Sequence, residues 1–248
     1  MGGIQYHESS IDSNYNALQL KAQRRFSRNL SFTASYAWGK AINTDDGTYI
    51  ESRSDSFQQP RNAKAERALA EFDVHALTFS YIYALPTGSG MPAPARMILG
   101  GWQMIGITRL LTGSPFTVTN GFDNLNNGGL GYPDVTCNPN FSSSRSNAQK
   151  PAQFFDAGCF ARPPMYQFGN QGRNILTGPG TQLWDVGLQK EFPFSERYRL
   201  EFKAEFFNIF NNVNFGYPNA SFGTAQFSTI RSTSEDPRDI QFGLKFSF

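Results

Sequence analysis

The run Arg238 to Phe248, R-D-I-Q-F-G-L-K-F-S-F, alternates strictly along its length. Ile240, Phe242, Leu244, Phe246 and Phe248 fall on one side, and Gln241, Gly243, Lys245 and Ser247 on the other. Period-two alternation predicts a β-strand with one apolar and one polar face. The same pattern recurs upstream. Tyr15 to Phe26 sets Leu18, Leu20 and Ala22 against Gln19, Lys21 and Gln23, and Ser27-Arg28-Asn29 then reads as a tight turn. Leu30 to Trp38 follows with Leu30, Phe32, Ala34, Tyr36 and Trp38 on one face. Val74 to Leu85 aligns Leu77, Phe79, Tyr81 and Tyr83. Gly101 to Thr112 is apolar on both faces, and Trp102, Met104 and Leu110 are assigned outward. Trp184 to Phe192 places Trp184, Val186 and Leu188 out, with Asp185, Gly187 and Gln189 in. After a turn at Pro193 to Arg197, Tyr198 to Asn208 sets Leu200, Phe202, Ala204 and Phe206 against Glu201, Lys203 and Glu205. Ala63 to Glu71, rich in Ala, Glu and Arg, predicts a short helix.

The connections between these strands run short, long, short to medium, very long, short, long. Antiparallel neighbours joined in that rhythm put tight turns on one side and long loops on the other. The expectation is an all-β, antiparallel up-and-down meander of about seven to eight strands. It is a partial transmembrane β-barrel with short periplasmic turns and long extracellular loops. Phe32, Tyr36, Phe79, Tyr81, Leu200, Phe202, Phe206 and Ile240 are then lipid-facing. The charged row Glu201, Lys203, Glu205 needs water, which a lumen supplies and a soluble core does not. Trp38 and Trp184 fall toward the long-loop rim, and Tyr83, Trp102, Tyr198 and Phe248 toward the short-turn rim, as two aromatic belts. Pro115 to Gln182, full of Asn, Gly, Ser and Pro, reads as one long irregular rim loop. One alternative is a soluble β-sandwich carbohydrate-binding module, with the apolar stripes facing each other across a core about 10 Å thick. Another is a plug-less, porin-like barrel.

Composition supports the barrel. Aromatic residues reach 15%, with 24 Phe and 10 Tyr, while only 17% of residues are charged. Mean hydropathy is nonetheless negative, at −0.44. That pairing suits a wall in which only alternate residues meet hydrocarbon. A net charge of +2 argues against a nucleic-acid partner. No run approaches the ~18 apolar residues of a spanning helix, and the first thirty residues lack a signal peptide's basic start and apolar stretch. A barrel must be exported, so residues 1–248 are expected to be a C-terminal segment whose true beginning lies upstream. Cys137 and Cys159 lack nearby histidines for a standard zinc site. They read either as a loop disulfide or as two free thiols.

Catalytic patterns are not legible, so no enzyme, metal or cofactor is expected. His7 and His75 are the only histidines, and His75 reads as a polar strand start beside Asp73. Asp45-Asp46-Gly47 lacks the rest of a calcium loop, and Gly128-Gly129-Leu130-Gly131 reads as flexible loop. Asp123, Asn124, Asn126 and Asn127 are either a ligand-binding set at the mouth or plain polar loop. Glu201, Lys203 and Glu205 either line a substrate path or pair with their neighbours.

Ser13 to Phe26 (SNYNALQLKAQRRF), Ala34 to Lys40 (ASYAWGK), Gly100 to Gln103 (GGWQ) and Thr112 to Val118 (TGSPFTV) resemble barrel strands of Oar-like TonB-dependent outer-membrane receptors. So do Gly169 to Asn174 (GNQGRN), Gly178 to Gly180, Phe202 to Phe215 (FKAEFFNIFNNVNF) and Pro237 to Phe248. The blocks cover most of the chain, in the order of the C-terminal end of such receptors. The resemblance implies a 22-stranded barrel with an N-terminal plug, taking up a ligand with energy relayed by TonB. It implies outer-membrane lipid, the missing N-terminal barrel and plug, the TonB complex acting through that plug, and the barrel-assembly machinery as partners. It further implies that the final strand, through Phe242, Leu244, Phe246 and Phe248, carries the signal that the assembly machinery reads. Without a plug this chain is not expected to perform gated transport alone.

Overall fold

A computed structural model describes residues 12–27, 29–44, 58–59, 62–72, 74–86, 90–126, 131–141, 145–195 and 197–248. Seven long strands form one antiparallel meander in chain order: β1 (Ser13–Ser27), β2 (Leu30–Asn43), β3 (His75–Ala84), β4 (Trp102–Leu111), β5 (Thr181–Pro193), β6 (Arg199–Phe207) and β7 (Asp239–Ser247). The sheet is open. β1 and β7 each have one edge without a ladder partner among the described residues.

Register carries the apolar stripe across all seven strands. Leu20 pairs with Tyr36 and Tyr36 with Leu77. Leu77 pairs with Leu110, and Tyr83 with Met104. Met104 then opposes Leu188, Leu188 opposes Ala204, and Ala204 opposes Phe242. A one-residue slip anywhere would send a strand's large side chains to the opposite face, yet every ladder keeps them aligned. Trp102, Met104 and Leu110 lie on this apolar face, so β4 is oriented as its aromatic end suggests. Rings stack across strands on the same side, Phe202 with Phe242 at 6.3 Å and Tyr198 with Phe246 at 5.8 Å. Gly106 makes room for one of them: a Cβ there would lie 2.3 Å from the Tyr81 ring. The opposite face is laced by polar pairs. Lys203 Nζ reaches Glu201 at 3.0 Å, Gln241 donates to Glu205 at 2.7 Å, and Gln189 to Gln103 at 2.8 Å.

No second layer covers the apolar face among the described residues. The seven long strands pair side by side in a single sheet with no second described sheet packed on it, and Phe242, Leu244 and Phe248 are 70%, 71% and 85% exposed. A β-sandwich would have buried these groups about 10 Å from a facing sheet; the sandwich alternative is therefore set aside.

Three local expectations need correction. Ala63 to Glu71 is not one helix. A 3-10 turn, Ala63–Glu66, gives way to a two-residue strand, Ala68–Leu69, paired with Ile42 and Asn43. β2 runs past Trp38 to Asn43, and its extra edge captures that segment. The connection between β3 and β4 contains a helix, α1 (Ala93–Leu99), with proline in its first turn. Pro94 is compatible with this helix, because a proline in the first turn costs no hydrogen bond. In its described residues the long stretch before β5 is a folded lobe rather than an irregular loop.

Candidate functional site

The described parts of the three long connections (58–59 and 62–72 after β2; 112–126, 131–141 and 145–180 after β4; 208–238 after β6) gather at one end of the sheet and form a cap. Its apolar centre is the chain's main buried core. Phe116, Val118, Phe155, Cys159, Phe160 and Leu176 are buried together. Phe155 touches Phe160 at 5.5 Å and Phe227 at 5.1 Å, and Phe222 reaches Phe227 at 5.4 Å. Aromatic side chains supply the largest buried area per residue, so a loop otherwise made of Asn, Gly and Ser can still fold. Backbone pairing adds to it. Ser221–Phe222 runs parallel to Thr119–Asn120, and Leu176–Thr177 pairs with Pro115–Phe116. The fully buried Ser228 accepts from Phe155 N at 3.0 Å and donates to the Phe155 carbonyl at 2.5 Å. A tight glycine contact joins the cap to the wall: a Cβ at Gly180 would lie 2.6 Å from the Leu111 carbonyl oxygen, and one at Gly113 would lie 1.8 Å from the Gly178 carbonyl oxygen at the base of the same connection.

Cys137 and Cys159 form a disulfide, with Cα atoms 5.0 Å apart. The bond closes the segment on which Asp134–Val135 pairs with Phe160–Ala161. Loop-closure entropy over a separation of 22 residues corresponds to about 3 kcal/mol. Cys137→Ser/Cys159→Ser is expected to lose about that much cap stability, read as faster cleavage of the cap by protease on intact cells. Unchanged cleavage would show that the aromatic core suffices.

A buried polar network ties the first connection to the second. Arg173 Nε donates to the Glu66 carbonyl at 2.9 Å, and its Nη2 donates to the carbonyl and the Oδ1 of Asn43 at 2.8 and 2.6 Å. The Glu66 carboxylate accepts from the Tyr132 hydroxyl at 2.8 Å and from Gln59 N at 3.1 Å. Gln58 Oε1 accepts from Tyr132 N and Gly169 N, while its Nε2 donates to the Gly169 carbonyl. Burial, with the Glu66 carboxylate beside it, holds the Tyr132 phenol well above its ordinary range. A raised phenol stabilises the fold fully below the ordinary tyrosine value of about 10 and loses that contribution as pH climbs above it. Protease sensitivity of the cap is therefore expected to rise steeply above about pH 10, and Tyr132→Phe to flatten that rise. An identical pH profile in the variant would remove Tyr132 from the account.

Between the cap and the rim lies a cleft of ≈ 440 Å³. Arg145, Lys150, Asn147 and Asn214 are among its polar lining, and Phe141 and Phe215 among its rings. The described lining holds two cations and no carboxylate. Arg145 donates to the Gln149 and Gln153 carbonyls, and its guanidinium lies 4.2 Å from the Phe141 ring centroid. On the sheet's polar face, Arg109 reaches Glu235 of the last long connection at 3.2 Å. That contact links the last long connection to the polar side.

The residues singled out from sequence fall in distinct places. Phe32, Tyr36, Phe79, Tyr81, Leu200, Phe202, Phe206, Ile240, Phe242, Leu244 and Phe246 share the apolar face. Trp38 stacks on His75 at 6.1 Å, and the Tyr36 hydroxyl lies 2.8 Å from His75 Nδ1. His75 is thus part of the aromatic rim and more than a polar strand start. Asn124 is a buried strut: its Oδ1 accepts from Asn120, and its Nδ2 donates to the Gln167 carbonyl. Asn126 sits at positive φ, 53°. Asn124, being buried, builds the loop rather than facing a ligand. His7, Asp45, Asp46, Gly47, Asp73, Asn127, Gly128, Gly129 and Leu130 lie outside the described residues. Gln58, Glu66, Tyr132 and Arg173 escaped the reading of residue patterns because their partners are over a hundred positions apart in places. The block Gly169 to Asn174 was the one available pointer.

No curated protein and no solved structure matches the chain. A family model described as an outer membrane beta barrel domain matches residues 1–241. With an apolar face carried in register through seven antiparallel strands and long loops gathered at one rim, the chain belongs to the outer membrane beta barrel domain family, and its place is the outer membrane.

Proposed function

We propose that the chain is a C-terminal part of the wall of an Oar-like, TonB-dependent receptor, whose cap receives a ligand at the outer mouth. The observation that carries this reading is the cap itself. The second and third long connections fold on a core of their own, the first joins them through Arg173, the last reaches the sheet's polar side through Glu235 and Arg109, and a cleft lined by Arg145 and Lys150 is left. A plain pore has no need of so large a buried core at its rim. A ligand bearing negative charge fits a lining that has cations and no carboxylate.

The blocks that resemble Oar-like receptors coincide with structural joints. Gly169 to Asn174 contains Arg173 of the buried network. Thr112 to Val118 and Gly178 to Gly180 meet where Gly113 and Gly178 touch. Backbone groups on the outer edges of β1 and β7 need partners in hydrocarbon. Further strands of the same barrel would supply them, together with an N-terminal plug through which TonB acts. The exposed Phe242, Leu244, Phe246 and Phe248 on the edge strand suit reading by the barrel-assembly machinery before that edge is closed.

The test uses the full gene product in outer membranes. It is expected to crosslink to the periplasmic domain of TonB and to remain non-conducting in a planar bilayer. Steady single-channel conductance without TonB contact would replace the receptor with a plug-less porin.

A further inference from the structure

We infer that α1 (Ala93–Leu99) is an interfacial element that enters the short-turn leaflet of the membrane beside the barrel wall. The inference rests on the reading of the sheet's apolar face as its lipid-facing side.

Lys190 decides where the helix lies. It is paired with Trp102 on one side and Phe202 on the other, so it projects from the apolar face, where a bare ammonium is costly. It is nevertheless only 4% exposed. Its Nζ donates to the backbone carbonyls of Met97 at 2.6 Å, Ile98 at 2.9 Å, and Gly100. Those are the open carbonyls at the C-terminal end of α1, where a cation complements the helix dipole. Trp102 Nε1 donates to the Ile98 carbonyl at 3.1 Å, and the ammonium lies 4.9 Å from the Phe192 ring centroid. The helix end is thus pinned to the apolar side of the wall.

What the pinned helix presents is apolar. None of its residues is buried, and Met97, Ile98 and Leu99 are 56%, 64% and 60% exposed. Its only charged side chain is Arg96, whose stem can lie along apolar surface while its head stays in water. Large apolar residues in a row, held against a lipid-facing wall, continue the aromatic belt of Trp102 and Phe192. The occupant of this face is the boundary between headgroups and acyl chains. In barrels of this kind the short turns are periplasmic, so the leaflet is the inner one.

Cys137 and Cys159 are engaged in the disulfide, so neither competes with an introduced cysteine for the nitroxide. The full gene product, labelled at Ile98→Cys, Leu188→Cys or Ser195→Cys, is placed in phosphatidylethanolamine and phosphatidylglycerol vesicles. Collision rates with oxygen and with a water-soluble nickel chelate are then compared. The oxygen-to-nickel ratio at position 98 is expected to match that at 188 and to exceed that at 195 several-fold. A ratio at 98 equal to that at 195, with 188 still oxygen-rich, overturns the inference, because the helix then faces water or a soluble partner. If 188 also behaves like 195, the lipid-facing reading falls and takes the inference with it. Adding Lys190→Met is expected to drop the ratio at 98 toward the turn value while leaving 188 unchanged. No change at 98 would remove Lys190 as the pin.

Discussion

Arg173→Ala is expected to release the cap while leaving the barrel wall folded. The substitution removes a buried cation that bonds Glu66 and Asn43 across two connections. It leaves the buried Glu66 carboxylate and the Tyr132 hydroxyl without the positive charge beside them. Breaking one member of such a buried charged network costs about 3–5 kcal/mol. The aromatic core and the Ser221–Phe222 pairing still hold the second and third connections to each other, while the first keeps the Gln58 and Glu66–Tyr132 hydrogen bonds and the short pairing of Ala68–Leu69 with β2. The first connection is the part set loose. Protease added to intact cells should therefore cut near residues 58–72 much faster, while heat-modifiable migration of the barrel on gels stays unchanged. Arg173→Lys keeps the charge without the planar fork, and an intermediate cleavage rate is expected. A cap as resistant in Arg173→Ala as in the parent protein would show that the network is incidental.

Leu188→Arg and Gln189→Arg form the second test, since the two residues are adjacent on β5 and point to opposite faces. Leu188 lies between Met104 and Ala204 on the apolar side, near the middle of its strand. Gln189 donates to Gln103 on the polar side. An arginine facing lipid near the bilayer midplane costs about 2–4 kcal/mol, whereas lumen positions tolerate charge. Equilibrium folding into lipid vesicles across a urea series is expected to show that penalty for Leu188→Arg and a far smaller one for Gln189→Arg. Equal penalties would mean that both faces meet the same surroundings, and the membrane-facing stripe would be lost as an explanation for the fold.

The wall was legible because its signal is local. Alternation along β6 and β7 can be read within ten residues, and the direction of each strand follows from the loop rhythm. The ambiguous β4 became readable only through pairing, when Met104 met Leu188 and Tyr83. The cap was not legible for the opposite reason. Phe155, Phe222 and Phe227 are scattered among Asn, Gly and Ser with no period, and nothing nearby announces that they share a core. Ala63 to Glu71 misled because helix propensity is a weak prior that a free strand edge at Ile42 and Asn43 outweighs. Lys190 interrupts a stripe of apolar residues, and only the carbonyls at the end of α1 show why it is tolerated there.

What the sequence determined alone was the wall: seven strands, their faces and the side on which the long loops lie. Hydrophobic alternation has a period of two residues and needs no distant partner to be seen. What only the tertiary structure decided was the folding of the loops into a cap, the network around Arg173, the lining of the cleft and the placement of α1 against the apolar face. Each of these depends on polar or aromatic groups meeting across long chain separations, where burial and hydrogen-bond satisfaction, rather than local pattern, select the partner.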